Sequence, residues 1–157
     1  MKLEFRTIVP EDARLLWEWA NEEGTRRYSF HPAPIPWETH EAWVQRQLTL
    51  CAAGDVYWQM LLANGSPVGQ IRYAREEGAA VISLCVAPDQ RGHGYGQTLV
   101  GDTVQAASTT LQAPLVRALV LAENEGSRRL FRHCGFEEQP SEQIEGKECY
   151  TYLWRGR

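Results

Sequence analysis

A glycine-rich loop that contains one arginine is the segment of this chain best suited to bind a charged ligand. The loop spans 90–96 and follows an apolar run that ends in Val86-Ala87-Pro88. Glycine permits positive φ and close approach of a ligand to the backbone. Successive amides before a helix form a concave site for a phosphate group, and Arg91 adds a permanently charged donor. The spacing therefore predicts an anion site.

Two common phosphate motifs do not fit this loop. No Gly-Lys-Ser/Thr follows the glycines, which excludes a Walker loop, and Gly-x-Gly-x-Gly differs from the dinucleotide fingerprint. The pattern that fits is Arg-x-x-Gly-x-Gly, at Arg91, Gly94 and Gly96. It resembles the pyrophosphate loop of the GNAT N-acetyltransferase superfamily, which binds acetyl-CoA. A glycine-rich turn between a strand and a helix is the alternative interpretation.

A second segment downstream resembles the same superfamily. Asn124 is a favourable helix N-cap, Ser127 follows at the third helical position, and Gly135 ends the helix. Asn-x-x-Ser before a short helix and Gly-Phe is similar to the family's second CoA motif, in which the asparagine contacts pantetheine. Alone, this motif also fits a capped amphipathic helix. Both motifs in this order favour the family.

The resemblance implies acetyl-CoA as the acetyl donor, with direct attack by a primary amine in a ternary complex. A strand that splays near Cys85 and Val86 would offer free backbone groups to pantetheine and to the thioester carbonyl. We expect Cys85 to be a small buried residue and not a nucleophile. The residues expected to bind acetyl-CoA are Cys85, Val86, Gln90, Arg91, Gly92, His93, Gly94, Tyr95, Gly96, Gln97, Asn124, Ser127 and Phe131.

The chain departs from the family pattern at Phe131. Many members have a tyrosine there, four residues after the motif serine, that protonates the departing thiolate. Phenylalanine has no proton to donate, although a thiol pKa of about 8.5 makes unassisted departure tolerable. His133, Cys134 and Tyr95 are alternative donors. The missing tyrosine is also compatible with a different class of protein, a non-catalytic acyl-CoA-binding module.

A general base cannot be transferred from the family's motifs, because Ala80-Val81 occupies the region where many members have a glutamate. His31 and His40 titrate near neutrality and flank the proline-rich segment, where this fold shapes the acceptor pocket. Glu123 is placed to relay a proton through water. These three are the candidate catalytic residues, with His31 preferred. The alternative is that His31 lies in an exposed loop and His40 on a helix surface.

The N-terminal third combines tryptophans and arginines. Its strings at 16–21, 25–30 and 34–43 resemble N-acetyltransferases that act on nucleotide-linked amino-sugars, of the pseudaminic-acid pathway type. The resemblance implies aromatic stacking on a base or sugar and a diphosphate held by arginine. Expected acceptor-binding residues are Arg26, Arg27, Ser29, Phe30, Arg72 and Tyr73. One alternative is that the tryptophans form core. A separate alternative is that the acceptor is a protein N-terminus, a polyamine or an aminoglycoside.

Composition sets the remaining expectations. A chain of 157 residues that is 43% hydrophobic predicts one compact domain over 1–157. A net charge of −4 argues against nucleic acid and anionic membranes as partners. Four scattered cysteines without ligand spacing predict no metal site. The absence of a signal-like or membrane-spanning run predicts a cytoplasmic protein, and an exposed C-terminal strand would allow a homodimer.

The elements that must position these residues alternate between strands and helices. Patterning predicts strands at 3–6, 56–63, 67–74, 79–86, 115–121, 136–138 and 149–154, and helices at 10–20, 38–50, 94–108 and 124–134. Residues 25–37 are expected to be irregular. The fold class is mixed α/β, and the order is similar to the GNAT fold: a mostly antiparallel mixed sheet of about seven strands flanked by four helices.

Overall fold

A computed structural model describes residues 1–156, which form an eight-stranded mixed sheet with helices on both faces. The sheet order is β1-β2-β3-β4-β5-β8-β6, and β7 pairs with β8. The pairing of β4 with β5 is parallel, whereas the other pairings in this range are antiparallel. The strands are β1 (Leu3–Thr7), β2 (Val56–Ala63), β3 (Ser66–Glu76), β4 (Ala79–Val86), β5 (Leu115–Leu121), β6 (Glu137–Glu138), β7 (Glu142–Ile144) and β8 (Lys147–Arg155).

Six α-helices accompany the sheet in the described range, with 3-10 turns at Pro10–Asp12 and Pro88–Gln90. None of these helices is long and apolar enough to cross a membrane. The helices are α1 (Ala13–Ala20), α2 (Glu23–Arg27), α3 (Trp37–Ala52), α4 (Tyr95–Gly101), α5 (Val104–Leu111) and α6 (Glu125–His133).

The predicted mixed α/β fold is confirmed, and β2, β4 and β5 have the predicted bounds. The sheet has one strand more than expected, because β7 pairs with β8 after a short turn. The helix predicted over 94–108 is two helices. Thr103 lies between them and donates its hydroxyl to the Leu99 carbonyl at 2.6 Å. The start of the stretch 25–37, expected to be irregular, is helical, because 25–27 belong to α2, which Glu22 caps by accepting from the Thr25 amide at 3.0 Å.

Two hydrophobic cores lie on opposite faces of the sheet. One packs α4, α5 and α6 against β3–β5, and the other packs α1 and α3 against β2. Alternation along β3 decides which side chain faces which core. Tyr73 is fully buried on the α4 face and shares a 2.8 Å hydrogen bond with the hydroxyl of Thr103. Its neighbour Arg72 reaches the α3 face, where it donates to Gln47.

Strands β4 and β5 separate shortly after they meet. Their parallel register covers 79–81 of β4 against 115–117 of β5. Beyond that point β4 remains paired with β3, through Gly69 opposite Val86. The edge of β4 that faces β5 therefore has free backbone groups from Ile82 onward, and the gap between the two strands opens a cleft.

Candidate active site

The gap between β4 and β5 is the entrance to the larger of two neighbouring cavities, which we call the splay cleft. Its volume is about 1090 Å³. Strand ends 82–86 and 118–121 form its floor, and the loop after β4, α6 and the segment around α2 form its walls. This volume is at the upper end of the range for ligand pockets, so an extended ligand fits.

The loop after β4 has the backbone shape of an anion site. Gly92 and Gly94 have φ of 83° and 79°, in the left-handed region that favours glycine. Gly94 is the N-cap of α4, and no side chain of residues 1–156 caps that helix. The amides of its first turn therefore have no side-chain acceptor, which suits a phosphate. Gly96 faces α6 so closely that an added Cβ would lie 3.2 Å from Leu130.

Arg91 lies at the same loop and holds a carboxylate. Its guanidinium donates to Glu22 at 2.8 Å and to the Thr25 hydroxyl at 3.2 Å, which ties the loop to the start of α2. The Gly24 amide and the Arg91 guanidinium lower the pKa of Glu22 to about 2. The pair is partly exposed, so an incoming anion is able to reach Arg91.

The α6 side of the splay cleft starts with a capped helix. The Asn124 side chain accepts from the Ser127 amide at 3.2 Å, as the sequence predicts for an N-cap. Phe131 lines the cleft but is 3% exposed, and its ring packs against Phe136 and Tyr152 with centroids 5.1 and 5.8 Å away. It contributes an apolar surface and no proton donor.

A second, smaller cavity lies on the α1–α3 face of the sheet, and we call it the tryptophan cavity. Its volume is about 380 Å³. Its lining is aromatic and cationic, and no aspartate or glutamate of the described chain belongs to it. The lining residues are Leu16, Trp19, Ala20, Thr25, Arg26, Ile35, Thr39, His40, Trp43, Arg46, Trp58, Gln70, Arg72, Ser83, Leu84 and Cys85.

His40 is the histidine of this cavity, and it is buried rather than on a helix surface. The side chain is 4% exposed, and Nε2 lies 3.1 Å from the Ala13 carbonyl. We assign the proton to Nε2, because a carbonyl oxygen accepts, and this leaves Nδ1 with a free lone pair. Burial lowers the pKa of His40, so the ring is neutral near pH 7.

Two arginines of the tryptophan cavity are held by neutral groups. Arg72 lies with Cζ 5.1 Å from the ring centroid of Trp43 and donates to Gln47 at 3.1 Å. Arg26 donates to the carbonyls of Ala20 at 2.6 Å and His31 at 3.1 Å. Within residues 1–156 neither side chain has an ion pair.

The two cavities meet on β4. Five residues line both of them, three on β4 and two on α2: Ser83, Leu84, Cys85, Thr25 and Arg26. The Cys85 thiol lies 3.9 Å from the Thr25 hydroxyl, and burial raises its pKa. A thiol held in its protonated form is a poor nucleophile. Two ligands, one in each cavity, would therefore meet at a floor whose thiol, Cys85, does not react with them.

The structure brings most of the predicted CoA-binding residues together. Every one of them lines the splay cleft except His93, whose ring stacks on Tyr95 and lies 3.0 Å from the Gln90 carbonyl. Arg26 and Arg72 line the tryptophan cavity. Ser29 and Phe30, expected at the acceptor, line the splay cleft instead, because the chain after α2 runs along its entrance.

Four other predicted site residues lie outside both cavities. The side chain of His31 is 81% exposed and lies 3.6 Å from Glu145. Glu123 and Arg27 are exposed as well. Tyr73 points into the opposite core, because neighbouring residues of a strand face opposite sides.

The prediction did not include several lining residues of the tryptophan cavity. Trp43 and Arg46 follow His40 at intervals of three on α3, which is the spacing of one helix face. Gln70 precedes Arg72 by two on β3 and therefore faces the same side. Its amide oxygen accepts from Trp58 at 2.7 Å. These spacings in the sequence would have placed the residues on the same side as His40 and Arg72.

Comparison with known proteins agrees with this geometry. A family model of the acetyltransferase (GNAT) domain matches residues 2–137. No curated protein matches the chain. Among solved structures, the ribosomal L7/L12 alpha-N-protein acetyltransferase RimL in complex with coenzyme A superimposes with a TM-score of 0.83 at 15% identity, covering 99% of this chain and 94% of that one.

Two further structures share the fold. A spermidine N-acetyltransferase from Vibrio cholerae, in complex with CoA and spermine, has a TM-score of 0.82 at 17% identity and covers 98% of this chain and 95% of its own. The enzyme AAC(6')-Ib with paromomycin and acetyl-CoA has a TM-score of 0.81 at 18% identity, covering 99% and 94%. Such identities establish a common fold and leave the acceptor open.

The family match covers the glycine loop, the splayed strands and the capped α6, which were the residues that predicted an acetyl-CoA site. The chain belongs to the GNAT acetyltransferase family, and it is an acetyl-CoA-dependent N-acetyltransferase.

Proposed function

We propose that the protein transfers the acetyl group of acetyl-CoA to a primary amine bound in the tryptophan cavity, with both substrates bound at once. The observation that carries this proposal is the shared floor at 83–85, where the two cavities meet. Substrates that enter from opposite sides of β4 are held at attack distance there, and this proximity is itself a large part of catalysis.

The residues of the splay cleft fit acetyl-CoA. Uncapped amides at the start of α4 and the Arg91 guanidinium bind the diphosphate. The free edge of β4 beyond Val81 pairs with the amides of pantetheine. Acetyl-CoA supplies the thioester, whose carbon receives the amine. When the diphosphate binds, Arg91 must give up its ion pair with Glu22 and contact the diphosphate instead.

His40 is the base that we propose for the amine. It is neutral near pH 7, and it lines the cavity that holds the acceptor, whereas His31 and Glu123 line neither cavity. In the net reaction the amine nitrogen bonds to the carbonyl carbon and the carbon–sulfur bond breaks. The acceptor ammonium loses two protons, of which one ends on the thiol and one leaves to solvent.

Departure of the thiol proceeds without a tyrosine at 131. Phe131 packs against Phe136 and Tyr152, and its ring carries no proton to transfer. Because the thiol pKa of about 8.5 is far below that of an alcohol, a thiolate leaves readily. The raised pKa of Cys85 argues against a covalent acetyl-enzyme on that residue.

The acceptor that we propose is a nucleotide-linked amino-sugar. The support is a cavity that joins aromatic rings, which stack on sugar faces, to arginines without carboxylate partners, which suit a diphosphate. Polyamines and aminoglycosides are polycations, and the described cavity offers them no carboxylate. A protein N-terminus is the remaining alternative, because it carries a single amine.

Thiol release from acetyl-CoA tests the proposal directly. We expect turnover with UDP-linked 4-amino-sugars and slow or no turnover with spermidine or kanamycin. His40→Gln keeps a donor to the Ala13 carbonyl and removes the basic nitrogen. We expect it to lower kcat by roughly 100- to 10,000-fold and to abolish the acidic limb of the pH–rate profile, which in wild type lies below about pH 6.5.

The matched control is His31→Gln, which changes an exposed histidine outside both cavities. We expect its kcat to equal that of wild type. Full activity of His40→Gln with the acidic limb retained would exclude His40 as the base. Saturable acetyl-CoA binding without thiol release from any amine would contradict acetyl transfer itself.

A further inference from the structure

The tryptophan cavity carries positive charge that the protein itself does not neutralise. Arg26, Arg46 and Arg72 line it, and no carboxylate of residues 1–156 does. Resting on the proposed function, we propose that the acceptor carries an oxyanion beside its amine, as the diphosphate of a nucleotide-linked amino-sugar does, and that Arg72 binds this oxyanion and thereby selects the acceptor.

Arg72 is placed to be an anchor. It lies on the central strand β3, and its side chain is held between Trp43 and Gln47 of α3. These contacts fix the plane of the guanidinium, and a planar fork held in one orientation suits two-point recognition of an oxyanion. One terminal nitrogen of Arg72, Nη1, donates to the side-chain oxygen of Gln47. The other N–H groups of the guanidinium have no hydrogen-bond acceptor in the described chain.

Because Arg72 is partly buried, the absence of an ion-pair partner in the described chain points to a ligand. Desolvation lowers the pKa of Arg72, which means that its charged form is disfavoured at this position. Arginine nevertheless stays protonated, and a desolvated charge without a partner is costly. Elsewhere in the chain Arg6 is 2.8 Å from Asp12 and Arg75 is 3.0 Å from Asp55. The charge of Glu76 raises the pKa of Arg72, but the two side chains form no ion pair among the described residues, so the position of a direct anionic partner is open to a ligand.

The other walls restrict the size and polarity of the ligand. Trp19, Trp43 and Trp58 provide apolar surface, and the indole N–H of Trp58 is already bonded to Gln70. A volume of about 380 Å³ is near the lower end for ligand pockets. The cavity therefore accepts a compact ring or chain with one amine and one oxyanion, and a larger substituent must extend outside it.

The position of Arg72 relative to the shared floor also determines how the acceptor is oriented in the cavity. In the antiparallel register Arg72 is opposite Ser83 of β4, which belongs to the floor shared with the splay cleft. His40 lies on the α3 side of the same cavity. An oxyanion held at Arg72 therefore orients the amine of the same molecule between the shared floor and His40.

Matched pairs of amines test this inference in the thiol-release assay. The first pair is L-phenylalanine and L-phenylalaninamide, which differ in the carboxylate. The second is glucosamine 6-phosphate and glucosamine, which differ in the phosphate. UDP-linked 4-amino-sugars are also included, because they carry a diphosphate with a nucleoside attached in place of the single phosphate. We expect kcat/KM for at least one anionic member to exceed that of its neutral twin by tenfold or more, and the preferred pair identifies carboxylate or phosphate.

Arg72→Met keeps the length and apolar stem of the side chain and removes the charge. We expect it to raise KM for the anionic acceptor by tenfold or more, to raise KM for the neutral twin by a much smaller factor, and to leave the acetyl-CoA Kd unchanged. The matched control is Arg14→Met, because Arg14 also lies over tryptophan, with Cζ 5.1 Å from the centroid of Trp17, but lines neither cavity. We expect wild-type kinetics from it.

A binding titration separates this inference from the proposed function. The same anionic amines are titrated against tryptophan fluorescence in wild type and in Arg72→Met. Saturable binding that the variant loses supports an oxyanion site at Arg72 even if no amine is acetylated, in which case the proposed function fails alone. Equal kcat/KM within both pairs, or equal binding by both proteins, overturns the inference.

Discussion

The guanidinium of Arg91 lies 2.8 Å from a carboxylate oxygen of Glu22, in the loop where we propose that the diphosphate binds. Two anions therefore compete for one cation. Glu22 also caps α2 through the Thr25 amide, so its position is fixed whether or not Arg91 remains its partner.

This competition predicts opposite effects for two substitutions. Arg91→Ala removes a charge-assisted contact worth about 1.5–3 kcal/mol and should raise the acetyl-CoA Kd by roughly 10- to 100-fold, with the partial exposure of the pair favouring the lower value. Glu22→Gln keeps an acceptor for the Thr25 amide and removes the competing charge, so we expect a lower Kd. Calorimetry measures both.

Arg129→Ala is the control, since Arg129 also lines the splay cleft but has no ion pair among the described residues. We expect a smaller change in Kd from it than from Arg91→Ala. If Arg91→Ala leaves the Kd unchanged, or if Glu22→Gln raises it, Arg91 does not bind the diphosphate.

At the scale of elements, β3, β4 and α4 pack closely around Gly69, beside the strand that forms the floor of the splay cleft. Gly69 is buried opposite Val86, and an added Cβ would lie 3.0 Å from both the Cys85 carbonyl and Leu99 Cδ1. A side chain at this position must therefore displace either the floor strand or the helix that follows the glycine loop.

Gly69→Ala should consequently affect both stability and the donor site. Overpacking of this kind costs about 1–3 kcal/mol, which lowers Tm by roughly 2–12 °C for a chain of this size. We also expect weaker acetyl-CoA binding, because the Cys85 backbone shifts. Thermal unfolding and calorimetry report the two effects.

Gly101→Ala is a matched control near the end of α4, where an added Cβ meets nothing within 4 Å. Because alanine restricts the unfolded chain, we expect Tm to stay equal or rise slightly. If Gly69→Ala has the Tm and the acetyl-CoA Kd of wild type, the close packing of β3 on β4 at Gly69 is required neither for stability nor for binding of the donor.

Elements were more predictable from sequence than the contacts between them. Apolar runs bounded by turns defined β2, β4 and β5, because a buried strand needs a continuous apolar surface. The sequence did not predict the break at Thr103, whose hydroxyl also shares a hydrogen bond with Tyr73 on a distant strand. The glycine loop was found from local spacing, whereas His40 and Arg72 became neighbours of one cavity through the packing of α3 on the sheet.

At the scale of the whole molecule, burial of His40 makes folding stability depend on pH. The folded-state pKa is below the usual value of about 6.5, so between that value and the folded pKa the unfolded chain binds a proton that the folded chain does not. Stability is therefore complete above about pH 6.5 and falls as the pH is lowered through the folded pKa.

Thermal unfolding at pH 8, 6.5 and 5.5 measures this dependence. We expect Tm to fall between pH 6.5 and 5.5 in wild type and to fall less in His40→Gln. Asp12, Glu22 and Glu138 also have lowered pKa values, but carboxylates take up protons in a more acidic range. Identical profiles for the two proteins would show that His40 titrates alike in the folded and unfolded chain.

The shared floor of the two cavities has a consequence for how specificity is distributed along the chain. Apart from 83–85, every residue that lines the tryptophan cavity precedes the turn between β3 and β4. Apart from the segment 24–30, every residue of the splay cleft follows that turn. On the proposed assignment of the two cavities, acceptor choice and donor binding are encoded in successive halves of the gene. A recombination event at the codons of Glu77 and Gly78 would exchange one while largely preserving the other.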